Sequence, residues 1–184
     1  MSRTAIITFA RMQPITIGHE KLVNTVKRVA SKMNATPLVY LSHSNDSKRN
    51  PLSYSVKYGL ARTAFGACVK HSSAKDIFSV LKDLDNDYDD VVFIGDKARA
   101  DELQPIFTKY NGIDYNFNTI TTMSAGDRES TDSKKLVDVI SATKMRKYIA
   151  QNDYNSFTQG LPTKLRPYAR LVQQLLRKGL NYAD

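Results

Sequence analysis

The chain has 184 residues, 41% of them hydrophobic, a single cysteine and a formal net charge of +9. That length and composition suit one globular domain with a substantial core, and one cysteine excludes an internal disulfide. No apolar run reaches about 18 residues, which excludes a transmembrane helix, and the net charge favours anionic partners, either nucleic acid or polyphosphate substrates.

The first residues lack the charged-then-apolar layout of a signal peptide, and Cys68 reads as a small core residue, so the expected compartment is the reducing cytoplasm. Thr4–Ala10 is an apolar, β-rich run and predicts the first strand. A polar loop, 11–15, leads to Thr16-Ile17-Gly18-His19, after which Leu22, Val23, Val26, Val29 and Ala30 recur at helical spacing and predict a helix over 18–33. The continuous apolar run 37–41 predicts a parallel strand covered on both faces. A polar loop, 43–51, follows, and Ser53 is placed to cap a helix over 54–65. Residues 67–70 read as a short strand, and Ser73 as the cap of a helix over 74–84. Val91-Val92-Phe93-Ile94 is a clear strand ending at Gly95-Asp96-Lys97, with a helix over 99–110 behind it. A strand is expected within 115–123, centred on 119–123, then a long loop over 124–139. The pattern is helical from 141 to 151, broken at Gly160-Leu161-Pro162, and helical again over 164–178.

Strands alternating with helices predict an α/β fold: a Rossmann-like parallel sheet with helices on both faces and C-terminal helices appended. No repeat, low-complexity segment or linker divides the chain. A single domain is expected, with its core over about 3–162 and a C-terminal helix over about 163–184.

Two stretches carry chemistry. The first runs from Arg11 through Thr16, Gly18 and His19. A helix start presents unpaired N–H groups and a partial positive charge, which is an anion site in an open α/β sheet. Gly18 admits close backbone approach, Thr16 adds a hydroxyl, His19 an imidazole and Arg11 a permanent cation. The residues alone leave a second reading open, in which Thr16 merely caps the helix and His19 is a surface residue of its first turn. The second stretch is Ile140-Ser141-Ala142-Thr143-Lys144-Met145-Arg146. Ser141 is a natural N-cap, and the first-turn N–H groups, Thr143, Lys144 and Arg146 suit a phosphate chain. A capped helix with solvated cations reads equally well. The loop with Lys48 and Arg49, joined by Lys57, reads as a substrate-phosphate loop or a solvated one. The segment 124–129 reads as a cover over an acceptor or a surface loop.

The two motifs together, T-x-G-H after the first strand and I-S-x-T-x-x-R opening a late helix, resemble the nucleotidyltransferase superfamily. That group includes nicotinamide-mononucleotide adenylyltransferase, phosphopantetheine adenylyltransferase and the small cytidylyltransferases. Pro14-Ile15-Thr16-Ile17-Gly18-His19 looks like the phosphopantetheine adenylyltransferase form, and Asn50-Pro51-Leu52-Ser53 and Gly160-Leu161-Pro162 look like segments of archaeal-type nicotinamide-mononucleotide adenylyltransferases. The spacing from Phe9 through Pro162 is similar to short basic nucleotidyltransferase-like proteins of bacteriophages. The C-terminal helix falls outside the resemblance.

The resemblance implies direct transfer of a nucleoside monophosphate, AMP from ATP first, to a phosphorylated small-molecule acceptor, with loss of pyrophosphate and no covalent enzyme intermediate. His19 would donate to the α-phosphate, and Thr16 would help hold it. Arg146, with Gly18, Ser141, Thr143 and Lys144, would bind the triphosphate, and Arg11 would clamp a phosphate of either substrate. Mg²⁺ would arrive on the triphosphate, since the sequence has no carboxylate cluster for a dedicated cage. Lys48, Arg49 and Lys57 would meet the acceptor. Three departures stand out. Thr16 occupies a position where many relatives have His. Gly95-Asp96-Lys97 lacks the Ser of a G-S-D-R segment, which leaves the roles of Gly95 and Asp96 toward nucleotide open. The chain has no Trp to stack a nicotinamide. The alternatives are a cytidylyltransferase using CTP, or an inactive phage structural or interaction protein retaining the fold. Nucleic acid is a further partner class, and the oligomeric state is open.

Overall fold

The computed structural model describes residues 2–126 and 140–182. The chain groups into two compact units. One comprises Met1–Ala10, Leu22–Ser42 and Lys70–Glu129, and the other Arg11–Lys21, His43–Val69 and Ser130–Asp184.

The first unit is built on a sheet. Its strands are β1 (Thr4–Ala10), β2 (Thr36–Leu41), β3 (Asp90–Gly95) and β4 (Thr119–Ser124), in the order β2-β1-β3-β4. Every pairing is parallel, with Ile7 opposite Leu38 on one side and opposite Phe93 on the other. This is the expected α/β, Rossmann-like parallel sheet. Side chains alternate faces along each strand, and that alternation divides the core in two. Ala5, Ile7, Leu38, Tyr40, Val91 and Phe93 pack on one face against α3 (Ile77–Leu84) and α4 (Lys97–Tyr110). Ile6, Val92 and Ile94 pack on the other face against Val26 and Ala30 of α1 (Ile17–Met33). Helices therefore cover both faces. Phe107 of α4 meets Phe78 and Phe93 edge-on, with ring centroids 6.0 and 5.8 Å away, the geometry that the ring quadrupoles favour.

Several local expectations are corrected. Residues 67–70 form no full strand: Gly66–Cys68 make a 3-10 turn, Val69 is a single bridge residue, and the Lys70 N–H donates to the β2 carbonyl of Val39 at 2.9 Å. The helix expected from Ser73 begins three residues later, because Asp76 supplies the cap and accepts from the Ser79 N–H at 2.8 Å. The helix expected over 99–110 starts earlier for the same reason, with Asp96 as its cap. Tyr115 makes an isolated bridge with Asn111 before β4 begins. Residues 127–139, most of the segment expected as a long loop, lie outside the described residues.

The second unit is helical. It contains the start of α1, α2 (Tyr54–Phe65), α5 (Ala142–Ala150), α6 (Tyr154–Gly160) and α7 (Ala169–Gly179), with a 3-10 turn at Thr163–Tyr168. Ser53 caps α2 and Ser141 caps α5, as expected. The helix expected over 164–178 is divided. Pro167 has no N–H to donate, and regular α-helix follows only from Ala169. The short α6 was not anticipated. Glycine sets two close approaches here. A Cβ on Gly160 would lie 2.2 Å from the Met145 sulfur, and one on Gly179 would lie 2.0 Å from the Pro51 carbonyl oxygen. No helix among the described residues is long and apolar enough to cross a membrane.

Candidate functional site

The site forms in the helical unit, from the loop that follows β1 in the chain. Ile15, Thr16 and Ile17 are buried at the start of α1, while Gly18 and His19 are half-buried. The ring of His19 folds back on its own helix start. Its Nδ1 accepts the Thr16 backbone N–H at 3.0 Å and lies 3.0 Å from Thr16 Oγ1. A backbone N–H can only donate, so Nδ1 carries no proton and the neutral ring has its proton on Nε2. Thr16 thus sets the orientation and tautomer of the histidine. With its side chain enclosed, its hydroxyl serves His19 rather than an open phosphate surface.

The neighbouring Gln13 is a site residue that the sequence did not flag. It is buried, its Nε2 donates to Leu52 O at 2.8 Å and Ser44 O at 3.1 Å, and its Oε1 accepts from Leu52 N at 2.9 Å. One amide thereby fastens the loop before His19 to the 43–52 loop. Met12 beside it is buried at φ 49°, a left-handed conformation costly for a side chain of this kind and concentrated at functional sites.

The 43–52 loop has its own internal brace. Asp46 Oδ1 accepts from the N–H groups of Lys48 and Arg49 at 2.9 and 2.7 Å, and its other oxygen accepts from the Asn50 amide. These donors hold the Asp46 carboxyl well below the usual carboxylate range. The brace closes residues 46–50 into a tight loop with Lys48 and Arg49 on its exposed rim. A D-x-x-x-N spacing is the signal that marks it. At the loop's start His43 stacks on Tyr54, with centroids 3.9 Å apart and planes within 9°.

Helix α5 completes the arrangement. Ser141 Oγ accepts the Lys144 N–H at 3.2 Å. Thr143 Oγ1 accepts from Arg146 Nη2 at 3.2 Å. Arg146 Nη1 donates to Gln13 O at 2.7 Å, across 133 residues of chain, and lies 3.3 Å from Arg49 O. The guanidinium therefore joins all three segments. Burial, then the like charge of Arg49, and more weakly Arg11, push its pKa down, while Asp46 opposes them. Arg11, Arg49 and Arg146 form a cationic cluster facing one carboxylate, an environment that favours an anion.

The structure thus brings together Arg11, Thr16, Gly18, His19, Arg49, Ser141, Thr143 and Arg146 in one unit, with Lys48 and Lys144 on exposed positions beside them in the chain. Lys57 is different. It is fully enclosed on α2, and desolvation pushes its pKa down to about 8, so it offers no open surface to an acceptor. Gly95 and Asp96 belong to the sheet unit. A Cβ on Gly95 would lie 2.9 Å from the Phe93 ring, and the Asp96 carboxylate accepts the Arg99 N–H at 2.9 Å as the α4 cap. Among the described residues no group of three or more His, Cys, Asp or Glu could hold a metal ion. The donors at the site are cations and hydroxyls, which fit phosphate oxygens. No protein-family model matches the chain, and no curated protein matches it significantly.

Proposed function

We propose that the chain is a nucleotidyltransferase of the T-x-G-H superfamily, moving AMP from ATP to a phosphorylated small molecule. The observation that carries this reading is the Arg146–Gln13 bond, which ties the late S-x-T-x-x-R helix to the loop before His19. Motifs so far apart in the chain meet where a triphosphate would need both.

In this mechanism an acceptor phosphate oxygen attacks the α-phosphorus as the bond to the β-phosphate bridging oxygen breaks, and pyrophosphate leaves. The triphosphate enters with its own Mg²⁺ as substrate. Charge gathers on the α-phosphate oxygens in the transition state, and the Nε2–H of His19, fixed by Thr16, donates to them. Arg146 and the first turn of α5 hold the leaving phosphates, and Arg11 and Arg49 hold the acceptor's phosphate. The acceptor segment of the site is the braced 46–50 loop.

The test measures pyrophosphate release with ATP or CTP against a panel of phosphorylated acceptors. Release with at least one pair, falling by about 10²- to 10³-fold in kcat for His19→Ala, supports the proposal. No release with any pair, or release that His19→Ala leaves unchanged, contradicts it.

A further inference from the structure

Charge is divided unequally between the two units. The sheet unit holds 11 Lys and Arg against 12 Asp and Glu, a net −1, while the helical unit holds 16 against 6, a net +10. Half of that excess comes from the C-terminal segment beyond the phosphate site: besides Lys144 and Arg146, residues 140–182 carry six Lys and Arg against one carboxylate, Asp153. That carboxylate is engaged in capping α6, accepting from the Ser156 N–H at 3.1 Å.

Helix α7 organises this surplus. Ala169, Val172 and Leu176, with Leu180 just beyond its end, face inward and are buried. Arg170, Gln174, Arg177 and Asn181 recur at helical spacing on the other side. There Asn152, Gln173, Gln174, Arg177, Lys178, Asn181 and Tyr182 line an open groove of about 1060 Å³. Arg177 is fixed in it by a 3.2 Å bond to Asn152 Oδ1. At the N-terminal end of the same stripe the Arg170 guanidinium lies over the Tyr154 ring, 4.9 Å from its centroid. Tyr168 and Tyr182 are both exposed.

We infer that the α7 groove is a docking surface for single-stranded RNA, built from residues other than those of the nucleotide site. It borders that site where Tyr182 comes near enough to act on Arg146. Cations along one helix face match a run of phosphates, and α7 at about 1.5 Å per residue is long enough for several. Exposed tyrosine rings offer stacking faces to unpaired bases. The four side-chain amides both donate and accept, which suits base edges and the 2′-hydroxyl. A lipid surface fits less well, because Ala169, Val172 and Leu176 of α7 are buried and Leu171 alone among its large aliphatic side chains is exposed, too little for an inserting face.

The test is fluorescence anisotropy with a labelled single-stranded RNA 20-mer over a salt series. Binding at low salt is expected, with log K falling linearly against log salt. The double variant Arg170→Gln/Lys178→Gln preserves side-chain length and leaves the Arg177–Asn152 bond in place. It should weaken binding about tenfold and reduce the salt slope by about 0.7 for each cation removed. The sheet-unit control Lys32→Gln should bind as the parent does, and circular dichroism checks that both variants are folded. Absence of RNA binding at low salt, or a double variant indistinguishable from the parent, overturns the inference. So does tighter binding to vesicles containing phosphatidylserine than to RNA. Displacement of the RNA by millimolar MgATP would assign the polyanion to the Arg146 site instead and also overturn it.

Discussion

The two units solve opposite problems. In the sheet unit, apolar side chains carry the structure, and its described ion pairs, Lys82–Asp114, Lys97–Asp101 and Arg99–Glu102, lie at the surface, where such pairs contribute little. Its buried polar side chains among the described residues are hydroxyls, those of Thr8, Thr25 and Ser42. The helical unit buries Gln13, Thr16, Asn50 and Lys57 and fastens its loops by side chains that bond to distant backbone carbonyls. Burying polar and charged groups is costly unless they are satisfied. The proposed nucleotide site lies in the unit that bears this cost.

This contrast can be broken by substitution. The largest effect is expected in the sheet unit. Phe107→Ala removes the ring that meets both Phe78 and Phe93, and should lower unfolding stability by about 3–5 kcal/mol, read from urea titration. A loss below about 1 kcal/mol would mean that the sheet core is not what holds this unit together.

A smaller effect of opposite sign is expected from Lys57→Met. The folded-state pKa of Lys57, about 8, lies below the ordinary value of 10.5. Between those limits the unfolded chain binds more protons than the folded one. The parent protein should therefore gain stability as pH rises from about 8 to 10.5 and lose it again as pH falls through 8. Below that window the buried ammonium costs about 3 kcal/mol at most. The variant should be more stable at neutral pH by up to about that amount, and its unfolding free energy should lack the parent's rise in the window. A variant that is less stable at neutral pH would assign Lys57 a supporting ion or hydrogen-bond role that outweighs its desolvation.

The sheet was the more legible unit because its information is local. The apolar runs of Thr4–Ala10, 37–41 and 91–94 mark its strands through neighbours in the chain. The errors at 67–70, 73–76 and 163–168 arise where short runs allow more than one cap or turn. The candidate site reads in the sequence as residue types and not as geometry. Arg146 and His19 stand out as candidates by type, yet the partners that orient them are Gln13, Thr16 and Arg49, and a bond across 133 residues leaves no periodic trace. Lys57 looks like any surface lysine in the sequence, and only tertiary burial distinguishes it.

Whether Arg146 makes one triphosphate site out of two distant motifs is decided by calorimetric titration of MgATP and MgCTP into the parent and into Arg146→Gln. Saturable binding of one of these nucleotides to the parent is expected, weakened at least about tenfold in the variant by loss of a charge-assisted phosphate contact. Equal binding to both proteins, or none to the parent, would contradict that role of Arg146.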